Sequence, residues 1–408
     1  MNRAVAFSPP PPSVPLLARP LLHRLATHWA HGSLIVDLPG GASPIVIGDA
    51  RSGPVVRWSL ANWRAVRRLM VAGDLGFAEG YLDGDWDTPD LAALLTGFAV
   101  SYDTLATPHR RDLLAMAQGL RHALRRNTRQ GSRRNIVAHY DLGNEFYACW
   151  LDPSMTYSSG LFADPDEPLE TAQRRKYRAL ARAAGIRPGD KVLEIGCGWG
   201  GFAHYAAAEL GAEVTAITLS PAQKTYAETK IQREGLADRV TIRLQDYRDV
   251  RGQFDAVVSI EMIEAVGEAY WPRYFGLVAD RLKPGGRAAL QAITLREDLF
   301  ADYRRRPDFI QLQVFPGGML PTDDRLLQLA RDAGLTPDAA GLSRFGLSYA
   351  LTLRRWRARF EAAAADGQTG RSEARFQRLW SYYLAYCEAG FVSGRTDVVH
   401  LGLTKGAG

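Results

Sequence analysis

The chain has 408 residues, enough for two domains, and its 46% hydrophobic and 23% charged residues are an ordinary globular composition that excludes a disordered or collagen-like chain. No apolar run reaches the roughly 18 residues a membrane helix needs, so no transmembrane segment is expected. The net charge of +6 is carried almost wholly by arginine, and Cys149, Cys197 and Cys387 share no CxxC or metal-type spacing, so neither a disulfide framework nor a zinc site is expected and a reducing cytoplasm fits.

Residues 1–15 are proline-rich and read as a disordered tail. Arg19, Pro20 and Arg24 then interrupt the chain too often for the apolar core of a signal peptide. Residues 16–126 are expected to form a small N-terminal domain serving membrane or dimer contact. Within it, alternation in "SLIVDLPG" and "PIVIGD" predicts short strands, and "ANWRAVRRLMVAG" and "PDLAALLTGFAVSYDTL" carry helical periodicity. Between His109 and Arg134 lie Arg110, Arg111, Arg121, Arg125, Arg126, Arg129, Arg133 and Arg134 against the acid Asp112. Such a cluster attracts an anionic membrane surface by about 1 kcal/mol per residue, and a plain solvated linker is the competing reading. Nucleic acid is disfavoured because no aromatic rings interleave the arginines.

From residue 127 to 408 strands alternate with helices: "KVLEIGCG", "EVTAITLS", "PAQKTYAETKIQREG", "VTIRLQD", "FDAVVSIE", "GGRAALQAIT". That alternation predicts an α/β fold with a parallel sheet covered by helices. The run Val192-Leu193-Glu194-Ile195-Gly196-Cys197-Gly198-Trp199-Gly200-Gly201 puts glycines between a buried strand and a helix, where the backbone can turn tightly against a ligand. A literal GxGxxG is present, yet Glu194 precedes it in the E-x-G-x-G-x-G pattern of S-adenosylmethionine sites. Where a dinucleotide fold would carry a ribose-binding acid, this chain has Thr218-Leu219-Ser220. A dinucleotide site and a purely structural glycine turn are the alternatives. A side chain at Gly196 is expected to fill space the cofactor needs.

The segments "NIVAHYDLGNEFYACWLDPSMTYSSGLF", "LEIGCGWGG", "TLSPAQ", "SIEMIEAVG" and "PDFIQLQVFPGGMLP" together resemble the cyclopropane-fatty-acyl-phospholipid synthase family, S-adenosylmethionine-dependent enzymes that modify unsaturated acyl chains of phospholipids. The likeness is strong over about two thirds of the chain and weaker in "GDLGFAEGYLDGDWDTPDL". It implies a class I methyltransferase (Rossmann-like) sheet ending in an antiparallel strand near "RTDVVHLGLTK", with an acyl-pocket insertion at about 296–321. Phe300, Phe309, Ile310, Val314, Phe315 and Met319 would wall that pocket. The cofactor would be held by Tyr157, Ser158, Glu194, Gly196, Cys197, Gly198, Trp199, Gly200, Thr218, Leu219 and Gln223, with Asp246 and Tyr247 near the adenine.

In the family a bicarbonate ion serves as the base, caged by a cysteine, a glutamate, a histidine, a backbone position near an isoleucine, and a tyrosine. The glutamate corresponds to Glu264, the isoleucine to Ile293 and the tyrosine to Tyr349. Two positions depart: Ser159 stands for the cysteine and Gln291 for the histidine, each still able to donate a hydrogen bond to a carbonate. The departures weaken the expected anion site and favour a methyl-branched unsaturated product over a cyclopropane. A protein that binds cofactor and lipid without chemistry is the remaining alternative. His139 and Tyr140 either touch substrate or position the leading segment. Cys197 reads as a small buried residue before a nucleophile, and Trp199, Trp271, Tyr274 and Phe275 as core before a cation-facing wall. The resemblance implies a cytoplasmic, peripherally membrane-associated enzyme, with unsaturated phospholipid as partner and a homodimer as a further expectation.

Overall fold

A computed structural model describes residues 14–105 and 142–407, with the backbone alone at 102–105. Residues 1–13, the basic run from His109 to Arg134, and His139 and Tyr140 lie outside the described residues. The chain divides into two compact units, 1–118 with 371–395 and 119–370 with 396–408.

The first unit opens with α1 (Arg19–His28) and builds a small sheet from β1 (Ser33–Asp37), β2 (Ile45–Gly48), β3 (Val55–Leu60) and β4 (Trp86–Asp87), in the order β2-β1-β3-β4. The segments expected as strands pair antiparallel, Ser33 opposite Gly48. Helices α2 (Arg64–Leu82) and α3 (Leu91–Leu105) follow the predicted periodicity. Trp58 and Trp86 are fully buried, and Phe77 stacks on Trp86 with centroids 4.2 Å apart. A helix far along the chain, Ala374–Val392, also belongs to this unit. The sequence reading placed it in the methyltransferase half. Its apolar residues bury here instead, with Tyr382 5.6 Å from Tyr81, and Arg378 lies 3.8 Å over the Tyr81 ring and donates to the Tyr81 carbonyl at 2.6 Å.

The second unit starts with α4 (Asn144–Ala148) and α5 (Leu169–Ala183), then alternates β5 (Lys191–Ile195), α6 (Gly201–Leu210), β6 (Glu213–Thr218), α7 (Pro221–Arg233), β7 (Val240–Leu244), β8 (Phe254–Ile260), α8 (Trp271–Arg281) and β9 (Leu282–Leu295). After it come α9 (Glu297–Arg305), α10 (Asp323–Asp332), β10 (Leu335–Arg344), α11 (Gly346–Ala365) and β11 (Thr396–Lys405). The sheet has seven strands in the order β10-β11-β9-β8-β5-β6-β7. Strands β5 to β9 run parallel, and β11 enters antiparallel between β9 and β10. Val192, Leu193 and Ile195 of β5 are buried because apolar clusters cover both faces of the sheet. Chain order reverses beside β5, with β6 on one side and β8 on the other, and open α/β sheets bind ligands at the carboxyl ends of strands flanking such a switch.

Two details shape that end of the sheet. Ser220 caps α7 by accepting the Gln223 N–H at 3.3 Å, with Pro221 in the first turn. The segment expected as an insertion leaves after β9 and returns where the Leu295 N–H meets the Pro321 carbonyl at 2.9 Å. It contains α9 and a π-helical turn, Ile310–Val314, that buries Val314, while Phe309 just before it is fully buried.

Candidate active site

The glycine loop leaves β5 at the switch. Gly196, Gly198 and Gly200 all take positive φ (84°, 53° and 81°), which only glycine adopts freely, and the Gly196 and Cys197 N–H groups bond the Ile217 carbonyl of β6. A Cβ at Gly196 would stand 2.8 Å from Met262 Cγ, so a side chain there meets Met262. Beside Gly198 there is open space instead. Glu194 is buried, its Oε2 lacks a hydrogen-bond partner, and burial pushes its carboxyl up to about 8 against the pull of the Ala203 N–H and Lys176. An orphaned acidic oxygen beside an open glycine cradle fits a ligand that carries positive charge and hydrogen-bond donors.

Around the loop, Ser158 accepts a 2.6 Å hydrogen bond from Lys176 Nζ, and its carbonyl takes the Gln173 amide at 2.9 Å. Lys176 is fully buried on α5, where desolvation pulls it down to about 7 despite the nearby Glu261, Asp152 and Glu194. Half-buried Tyr157 lies about equally close to Tyr147, Trp150 and Trp356, at 5.5, 5.4 and 5.4 Å between centroids. Trp199 donates to Asn144 Oδ1 at 2.8 Å, and Thr218 bonds Gln223 Oε1 at 2.8 Å with half-buried Leu219 beside it. Asp246 is held by the buried Arg248 at 2.7 Å, and Tyr247 packs against Tyr274 in the core.

The residues expected to cage an anion do come together, at the carboxyl end of β8. They close on two glutamates of the chain itself. Glu264 Oε1 accepts the Ile293 N–H at 2.6 Å, while its Oε2 is buried without a partner. Glu261, immediately after β8, takes the others: its Oε1 accepts the Ser159 N–H at 2.8 Å and Gln291 Nε2 at 2.7 Å, and its Oε2 accepts the Tyr349 hydroxyl at 2.6 Å. Ser159 therefore contributes its backbone, its hydroxyl being spent on the Gly160 carbonyl at 2.8 Å. Behind Gln291 stands His400 of β11, with Nε2 2.8 Å from Gln291 Oε1. Because the amide nitrogen faces a carboxylate, the amide oxygen must face His400, whose Nε2 carries the proton. Burial, with Lys176 adding to it, drops His400 to about 3 and keeps it neutral.

The sequence matches the mycolic acid cyclopropane synthetase family over residues 127–401. The chain belongs to that family. It is 42% identical over 343 residues to the tuberculostearic acid methyltransferase UfaA1 of Mycobacterium tuberculosis, covering 81% of this chain and 79% of that one. It is 36% identical over 329 residues to the cyclopropane-fatty-acyl-phospholipid synthase of Escherichia coli, covering 80% and 81%. Among solved structures it superposes on the mycolic acid cyclopropane synthase CmaA1 complexed with SAH and CTAB, with a TM-score of 0.62 and 27% identity over 67% of this chain and 98% of that one. The fold is thus the class I methyltransferase sheet, and this family member is an S-adenosylmethionine-dependent enzyme.

For this family member the cofactor supplies a methyl group carried on positively charged sulfur. Three features outside the sequence reading complete the site: Glu261, His400 and Lys176. Only Glu261 left a trace in the sequence, as the first glutamate of "SIEMIEAVG". His400 reaches Gln291 only through strand register, and Lys176 reads as an ordinary helix-surface charge. The Cys197 thiol is pushed well above its usual range by burial first and Glu194 second, which suits a structural residue and not a nucleophile. Trp271, Tyr274 and Phe275 are core, as expected of helical spacing.

Proposed function

We propose that the chain transfers one carbon from S-adenosylmethionine to the cis double bond of an unsaturated phospholipid acyl chain and leaves a methyl-branched, unsaturated product. One observation carries the reading: a buried carboxylate with three donors lies at the carboxyl end of β8, on the strand next to the glycine loop. A cis alkene is a weak nucleophile and reacts with a sulfonium methyl only in a dry, shaped cleft. Its attack leaves a cation on the acyl chain, so the site needs a base and protection from water. The rings of Tyr157, Trp150 and Trp356, with Tyr349 6.2 Å from Trp356, offer negative π faces suited to such a cation.

The branched product is favoured because Ser159 and Gln291 stand where the family's cysteine and histidine would hold the anion, and here both donate to Glu261. The greater identity to a tuberculostearic acid methyltransferase than to a cyclopropane synthase agrees with it. Phe309, Val314 and Met319 of the insertion are proposed to line the acyl cleft, and Tyr157, Ser158, Glu194, Gly196, Cys197, Gly198, Trp199, Gly200, Thr218, Leu219, Gln223, Asp246 and Tyr247 to form the cofactor site. Peripheral attachment to anionic membrane through the basic run, a cytoplasmic location and a homodimer belong to the same proposal.

The test is the product made by purified protein from S-adenosylmethionine and vesicles of monounsaturated phospholipid. Both outcomes add one CH2, so mass alone does not separate them. Retained, ozone-cleavable unsaturation with no far-upfield ring protons in the proton NMR spectrum is expected. Upfield ring signals would identify a cyclopropane synthase.

A further inference from the structure

We infer that Glu261 is the resident base of this enzyme and occupies the position of a free bicarbonate, so that the chain works without one. The inference rests on the proposed reading that an acyl chain accepts the methyl group. Each group expected to hold a free anion is already engaged by a carboxylate of the protein: the Ser159 N–H, the Gln291 amide and the Tyr349 hydroxyl by Glu261, and the Ile293 N–H by Glu264. Glu261 Oε1 accepts two of these bonds, which saturates its lone pairs, whereas Oε2 accepts Tyr349 and keeps one lone pair for an incoming proton.

The backbone agrees. Glu261 has φ 50°, a left-handed conformation costly for a residue with a side chain, shared among the described non-glycine residues with Met155. Its N–H is tied to the Gln291 carbonyl at 2.8 Å, so the turn that aims its carboxylate is locked to β9. Strain of this kind persists where the surroundings over-determine it, as they do at functional sites. The second layer is fixed too, since His400 orients the Gln291 amide. The titratable groups facing Glu261 are Tyr349 and Lys176, with Glu264 beside it. Burial raises its carboxyl above the usual range, and Tyr349, Lys176, Ser159 and Gln291 limit the rise, leaving a base stronger than a surface carboxylate.

The chemistry balances. The alkene π pair forms the bond to the methyl carbon as the carbon–sulfur bond breaks, its electrons staying on sulfur, which leaves the neighbouring chain carbon cationic. A C–H bond next to that carbon then breaks; its electron pair closes the new double bond and its proton goes to Glu261 Oε2. Release of product lets the carboxylic acid return the proton to water.

Three proteins test the inference: the wild type, Glu261→Gln and Glu261→Gly, each checked for folding by thermal melting. In buffer purged of carbon dioxide the wild type keeps full activity and added bicarbonate does not raise it. Glu261→Gln keeps the shape without the basicity and loses activity by about 100-fold or more, with no recovery in bicarbonate. Glu261→Gly empties the cage, loses as much, and recovers at least tenfold with bicarbonate. Independently of turnover, titration with 13C-bicarbonate monitored by NMR detects binding to Glu261→Gly and none to the wild type. Bicarbonate binding by the wild type, or loss of its activity on purging, overturns the inference. A wild type that methylates no acyl chain defeats the functional reading instead, and the bicarbonate titration still decides the role of Glu261.

Discussion

Glu264 and Glu261 differ in how many donors each has. With the Ile293 N–H as its hydrogen bond, Glu264 is pushed up to about 8 by burial and, secondarily, by the charge of Glu261, so near neutral pH it holds its proton, whereas three donors favour the charged form of Glu261 against the burial that raises it. A carboxyl raised on folding adds stability that is fully present below its ordinary value near 4.5 and is lost as the pH climbs through about 8. Glu264→Gln imitates the neutral acid and keeps an oxygen for Ile293. Its melting temperature is expected to gain steadily on the wild type from pH 5 to pH 9, read by calorimetry at constant salt, about 5 and 9 bracketing the titration; parallel curves would contradict the assignment. The motif made Glu264, Ile293 and Tyr349 legible in the sequence. It could not tell which glutamate turns towards Ser159, because that choice is made by one backbone dihedral, nor that Ser159 serves through its N–H and not its hydroxyl.

Elements are fixed by packing limits that can be read at particular glycines. A Cβ at Gly201, in the first turn of α6, would lie 2.3 Å from the Tyr177 hydroxyl, which is itself held by Thr156 at 2.7 Å. Gly201→Ala is therefore expected to cost about 1–3 kcal/mol, an overpacking loss. Adding Tyr177→Phe removes the colliding atom and leaves the ring carbon at 3.2 Å, so the double variant should recover much of the loss in urea unfolding. Simple additivity of the two changes would show that α5 and α6 do not meet this way. The strands and helices of the parallel sheet were legible because a strand buried on both faces is a continuous apolar run between glycine-marked turns. The antiparallel last strand was expected too, but its register was not: Gln291 faces His400 across β9 and β11, a contact between residues far apart in sequence. The helix Ala374–Val392 carries good periodicity, yet periodicity names an apolar face without naming the surface that covers it.

For the molecule as a whole, charge makes the clearest demand. Among the described residues no helix is long and apolar enough to cross a membrane, and the proposed route to phospholipid is adsorption through the basic run. Replacing Arg121, Arg125, Arg126 and Arg129 with glutamine should weaken co-sedimentation with anionic vesicles, most at low salt where screening is least. Equal binding by the variant would leave the run as a linker. The two-unit division has a different kind of consequence, in time. Strand β11 pairs with both β9 and β10, yet it is translated after α11 and after a helix that belongs to the other unit. On the ribosome, β9 and β10 therefore wait with unpaired edges until residues 396–405 emerge, and His400, which sets the amide of Gln291, arrives with them. A nascent chain stalled before Thr396 is expected to present open strand edges of the sort that recruit chaperones or aggregate, and it lacks the last side chain of the proposed site.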